Sequence, residues 1–249
     1  MSPVTLLLLL LATFITATIS GIFGMAGGLV LMGVLALLLP VSSAMVVHGA
    51  IQSVSNGWRA VILHQWINWR ILAIYLTGSA LAAGLLLWLT FELDAAWLFI
   101  ALGLVPGFVW IPKHLLHLDA ARPHHAIACG FTVTGLNVVA GVSGPLLDVF
   151  FAETDADRRA IVATKAATQV VSHGVKIGYY ILPALTAGVL PAAHWLLLAA
   201  PLAILGTTLG TRVLNLMSDI QFRQWTKWIV SVIGLIYILR GITMLTGTS

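Results

Sequence analysis

Two polar stripes interrupt an otherwise apolar chain. His48, Gln52, Ser55 and Arg59 recur at i, i+4, i+7 and i+11, so on a helix they share one face. Lys165, Gln169, Ser172 and Lys176 recur at the same spacing. The two stretches align without gaps, His48-Gly-Ala-Ile-Gln52-Ser-Val-Ser55-Asn-Gly57-Trp-Arg59 on Lys165-Ala-Ala-Thr-Gln169-Val-Val-Ser172-His-Gly174-Val-Lys176. Amide, hydroxyl, imidazole and basic groups in this pattern offer hydrogen-bond donors and positive charge, which suits a small oxyanion. The plainer readings are that Arg59 and Lys176 reach along their helices to the membrane surfaces and that the other residues only hydrogen-bond between helices.

A second set of candidates surrounds glycine. Ser20-Gly-Ile-Phe-Gly24-Met-Ala-Gly27-Gly28 is echoed by Thr134-Gly-Leu-Asn137-Val-Val-Ala-Gly141-Val142, followed by Ser143 and Gly144. A helix broken there restarts with free N–H groups and the positive end of its dipole, which favours an anion. Asn137 and Ser143 add side-chain donors. The alternative is that these glycines serve close helix packing. Asp148 is isolated in an apolar run, so it is expected to be paired, protonated or both. Lys165 is the candidate partner, and an exchange of that partner for a proton would couple anion movement to a proton gradient. His114, His117, His124 and His125 read as solvated loop residues; no metal set and no cofactor is expected.

The elements that carry these residues must be membrane helices. Of 249 residues, 60% are hydrophobic and 8% charged, and the mean hydropathy is +1.04, too little polar surface for a water-facing globule. Eight apolar segments stand out, at 3–40, 42–63, 70–91, 94–111, 125–152, 157–181, 192–212 and 223–246. None alternates as a barrel strand does, so the expected class is all-α and polytopic, with lipid as solvent. The leucine-rich start lacks a basic flank and is read as mature structure. The single Cys129 excludes an internal disulfide. The net charge of +4 is scattered, which gives no nucleic-acid signal.

The internal echoes divide the chain into two repeats, 1–118 and 119–249. If all eight segments cross, Arg70, Lys113, Arg122 and Arg240 face Arg158, Arg159, Arg212, Arg223 and Lys227, with no bias. If the two glycine-broken segments turn back, one face holds every one of these except Arg240, which joins Glu92 and Asp94 opposite. That asymmetry fits the positive-inside rule. It predicts six full crossings, a re-entrant first helix in each repeat, inverted topology and outward termini, the architecture of a transporter with its site at the midplane.

The glycine-broken starts of the two halves, together with Leu205-Gly-Thr-Thr-Leu-Gly-Thr-Arg212, resemble the sulfite exporter TauE/SafE family over nearly the whole chain. The resemblance implies a secondary transporter for sulfite, sulfonates or related anions in the bacterial inner membrane. The expected partners are the bilayer and a small anion; no oligomer is indicated. Two alternatives are an anion channel and an intramembrane serine protease, since Gly141-Val-Ser143-Gly144 has a Gly-x-Ser-Gly pattern with His173 or His194 as base.

Overall fold

The computed structural model describes residues 3–23, 25–111, 117–192, 194–214, 216 and 219–247, with the backbone alone for 219–223. Gly24, Lys113, His114 and the side chain of Arg223 lie outside the described residues. All regular structure among them is helical: α1 (Pro3–Phe23), α2 (Met25–Leu38), α3 (Val41–Ile62), α4 (Trp69–Leu89), α5 (Ala95–Leu104), α6 (Pro123–Ala140), α7 (Gly144–Phe150), α8 (Arg158–Thr186), α9 (His194–Leu214) and α10 (Asp219–Thr246). Short 3-10 turns follow α3 at His64–Trp66 and α5 at Val105–Trp110. Local chemistry sets several boundaries. Asn68, Asp94 and Asp157 each accept a backbone N–H in the first turn of α4, α5 and α8. Pro123 opens α6, where a missing N–H is harmless.

Among the described residues, four helices are long and apolar enough to cross a membrane: α1, α4, α9 and residues Gln224–Thr246 of α10. Their outer faces expose large apolar side chains, including Leu7 and Leu11 on α1, Leu81 and Leu85 on α4, and Leu235 and Leu239 on α10. Such surface needs lipid around it. α3 and α8 are as long but more polar, because they carry the two stripes. They pack on each other inside the bundle, where the stripes avoid lipid.

The segments at 3–40 and 125–152 are each split into two helices. Gly27 on α2 lies so close to α1 that a Cβ there would collide with the Thr16 carbonyl and with Ser20. The second helix of this segment therefore folds back along the first. In the later segment, Gly141 has φ +78°, which glycine adopts without strain. Phe150, at the end of α7, accepts a hydrogen bond from the Ala120 backbone, just before α6 begins. The returning arms differ: α2 has 14 residues and α7 has 7.

Packing joins the two halves of the chain throughout. α1 lies on α9, α4 on α6, α3 on α8 and α5 on α10. Two of these contacts bring backbones together at glycine. A Cβ on Gly21 would meet Gly210 Cα at 2.7 Å, and a Cβ on Gly130 would collide with the Tyr75 carbonyl. α3 and α8 run antiparallel. Gly49 faces Ile177, Gly57 faces Val170, and the Asn68 N–H donates to Thr164 Oγ1.

Candidate functional site

Where α3 and α8 cross, a cavity of about 30 Å³ is lined by Ser20, Met25, Gly28, His48, Gln52, Asn56, Val142, Ser143, Gly144, Gln169 and His173. Both broken segments reach it. The first residue of α2, Met25, and the first of α7, Gly144, form part of its wall. Each glutamine amide approaches a glycine of a broken segment: Gln52 Nε2 lies 2.9 Å from where a Gly28 Cβ would stand, and Gln169 Nε2 lies 3.6 Å from the corresponding point on Gly144. No carboxylate is among the lining residues. The volume is roughly that of one water molecule, so a larger guest requires the walls to move.

The cavity meets a vestibule of about 1010 Å³, with Ser20, Met25, Gly144 and Gln169 common to both. The vestibule rim includes exposed Glu153, Arg158 and Arg212, from the loops expected to share the basic face, and Ile62 at the end of α3. Its charged lining comprises Arg59, Arg158, Lys165, Arg212 and Lys227 against Asp148 and Glu153. Cations outnumber acids, so the vestibule attracts anions. Lys165 and Asp148 form a hydrogen-bonded ion pair in its wall.

On the other side of the two glutamines one cation is buried. Lys176 is fully buried, and its Nζ donates to Gly141 O at 2.7 Å, to His48 Nδ1 at 2.7 Å and to Asn137 Oδ1 at 3.4 Å. His48 Nε2 donates to Gly28 O at 2.9 Å. The Asn137 amide donates to His173 Nδ1 at 3.2 Å, which leaves the proton of neutral His173 on Nε2. The rings of His48 and His173 meet edge to face with centroids 5.5 Å apart. Arg59 donates to Ser20 O at 3.3 Å. Arg59 and Lys176, aligned in the repeats, thus each bond a carbonyl near the end of α1 or α6, where the helix dipole favours a cation.

The structure divides the expected site residues. His48, Gln52, Gln169, Ser143, Gly28 and Gly144 line the central cavity. Lys165, Asp148 and Arg59 line the vestibule. Asn137, Lys176 and Gly141 stand behind the cavity wall, joined by the bonds just described. Gly27 packs α2 on α1. Ser55 and Ser172 lie outside the cavity lining. Ser55 Oγ bonds Thr207 Oγ1 at 2.6 Å, and Ser172 Oγ bonds the Tyr75 hydroxyl and Thr134 Oγ1. Their offset from the glutamines is three residues, which turns them toward α9 and α4. The residues at an offset of four, Asn56 and His173, are the ones that line the cavity. They are equivalent in the repeat alignment, and that coincidence of two polar side chains was the signal for them in the sequence.

The all-helical fold and the apolar outer faces define a polytopic membrane protein, with a polar cavity at the crossing of α3 and α8. The sequence profile described as sulfite exporter TauE/SafE matches residues 9–237, and the chain belongs to that family, whose members are membrane transporters. No curated protein and no solved structure matches the chain.

Proposed function

We propose that this protein is a secondary transporter that moves a small sulfur-containing oxyanion, such as sulfite or a sulfonate, across the bacterial inner membrane, coupled to protons. The observation that carries the reading is the convergence of Gln52 and Gln169, from antiparallel α3 and α8, on one carboxylate-free cavity that meets a basic vestibule. Oxyanions are held by such neutral donors together with nearby positive charge.

Residues 1–118 and 119–249 act as inverted repeats of one body. The packing supports this: α1 on α9 is the counterpart of α6 on α4, while α3·α8 and α5·α10 are each their own counterpart under exchange of halves. The vestibule opens on the face rich in Arg and Lys, which the positive-inside rule assigns to the cytoplasm, with both termini outside. The described conformation is then inward-facing, and exchange of the two halves' conformations would open the other side. A carrier accounts for the closed outer half better than a channel does. A protease needs a base lone pair facing Ser143, and His173 carries its neutral-state proton on Nε2.

Purified protein in liposomes should exchange labelled sulfite. Gln52→Ala and Gln169→Ala should each lower that flux by at least about tenfold with folding intact. Undiminished flux in both variants would remove the glutamines from the site, and no flux of any sulfur oxyanion by the unaltered protein would overturn the function.

A further inference from the structure

A chain of hydrogen bonds crosses the outer side of the cavity. It runs from Gly28 O through the His48 ring to Lys176 Nζ and on to Gly141 O. Gly28 belongs to the first broken segment and Gly141 to the second, so two side chains on α3 and α8 tie the broken segments together. Neither His48 nor Lys176 lines the vestibule, which meets the two stripes at Arg59, Lys165 and Gln169. Other bonds close the same side farther out: Ser43 Oγ donates to Val189 O, and the Tyr179 hydroxyl donates to Phe91 O.

The proton count of the chain is fixed by its ends. Gly28 O can only accept, so His48 Nε2 must carry a proton. The contact between His48 Nδ1 and Lys176 Nζ then has room for one bridging proton, donated from lysine to the imidazole lone pair. A further proton on Nδ1 makes both groups cationic, removes the acceptor and sets like charges against each other. The titratable groups facing His48 are Lys176 and His173, both on α8. Among the described lining residues, α1 contributes Ser20, α2 contributes Met25 and Gly28, and α7 contributes Gly144; none of these brings a carboxylate to absorb the charge.

We propose that His48 and Lys176 form a proton-operated latch on the outer side of the anion site, and that anion and proton bind together to release it. The proposal rests on the anion-transport reading above. His48 lines the cavity, so an anion held by Gln52 and Gln169 stands beside the ring and balances the added charge. The proton comes from water through the cavity and binds the Nδ1 lone pair. The Lys176–His48 hydrogen bond breaks, and the outer path opens with one proton and one anion in the site. Their departure restores the bond. This places the coupling at His48, with the Lys165–Asp148 pair in the vestibule wall serving to set its charge.

The test uses the full chain with Cys129→Ala and Val142→Cys, in right-side-out vesicles whose two sides are clamped at the same pH. An impermeant maleimide is added outside with sulfite present, and rates are corrected for the reagent's own pH dependence. Labelling should be at least about tenfold faster at about pH 5.5 than at about pH 8. His48→Gln keeps an acceptor for Lys176 but cannot gain a proton, and should hold the ratio near one. Lys176→Gln removes the second charge and should also flatten it, which covers the case where His48→Gln fails to fold. Equal labelling at both pH values with His48 and Lys176 intact would overturn the latch, as would an undiminished pH response in a folded His48→Gln variant. If the unaltered protein moves no sulfite while its labelling responds to pH through His48, the latch stands and the sulfur-anion reading is what fails.

Discussion

Polar side chains inside this bundle do two separate jobs one helical step apart. Gln52 and Asn56 on α3, with Gln169 and His173 on α8, border the cavity. Ser55 and Ser172 hold neighbouring helices, the latter within a hydroxyl cluster of Tyr75, Ser79 and Thr134. Tyr75→Phe removes one member while Ser172 keeps Thr134 and the Thr168 carbonyl as partners. It should therefore cost about 1 kcal/mol, read as a small fall in melting temperature with sulfite binding retained. Loss of transport with an unchanged melting temperature would assign the hydroxyl to the site instead. Asp148→Asn leaves the Lys165 ammonium unopposed in the vestibule wall. Its expected signature is a lower KM for the anion, with the response to pH preserved. Loss of that response would return the coupling role to Asp148.

At the scale of elements, glycine decides how closely helices approach, and equal-looking glycines behave unequally. Gly130 and Gly135 both lie in α6. A Cβ on Gly130 collides with the α4 backbone, whereas nothing stands within 4 Å of one on Gly135. Gly135→Ala should leave stability unchanged or raise it by up to about 1 kcal/mol through helix propensity. Gly130→Ala must push α4 and α6 apart and should lower stability by about 1–3 kcal/mol. Thermal unfolding of the two variants in detergent checks the pair, and equal effects would contradict the close approach. Gly141→Ala meets a different penalty, since a positive φ costs an L-residue about 1–2 kcal/mol. The strain falls on the carbonyl that accepts from Lys176, so transport should suffer more than folding.

For the whole molecule, the orientation in the bilayer is open to direct measurement. Gln65 and Glu92 are exposed near opposite ends of α4. With Cys129→Ala as background, Gln65→Cys should react with an impermeant thiol reagent only from the cytoplasmic face and Glu92→Cys only from the outside. The reverse pattern would invert the assignment of the vestibule and make the described conformation outward-facing.

Much of this plan was legible in the sequence because lipid simplifies the rules. Backbone groups must bond internally, so apolar runs of this length are helices, and the repeat of His48–Arg59 in Lys165–Lys176 located both halves of the central crossing. The aligned Gln52 and Gln169, the breaks near glycine and the Asp148–Lys165 pair all follow from types and spacing along the chain. Tertiary structure alone decided which side of each stripe faces the cavity, because offsets of three and four residues differ by about 100° round a helix, and only the neighbours settle which one is buried where. It also decided the fate of the cations. Arg59 and Lys176 stand near the ends of the apolar runs 42–63 and 157–181, where spacing along the chain allows a reach to the membrane surface, yet α8 continues to Thr186 and carbonyls at the breaks in α1–α2 and α6–α7 give both cations partners inside. The contact of Lys176 with His48 joins residues 128 positions apart, and it exists because the two central helices cross antiparallel.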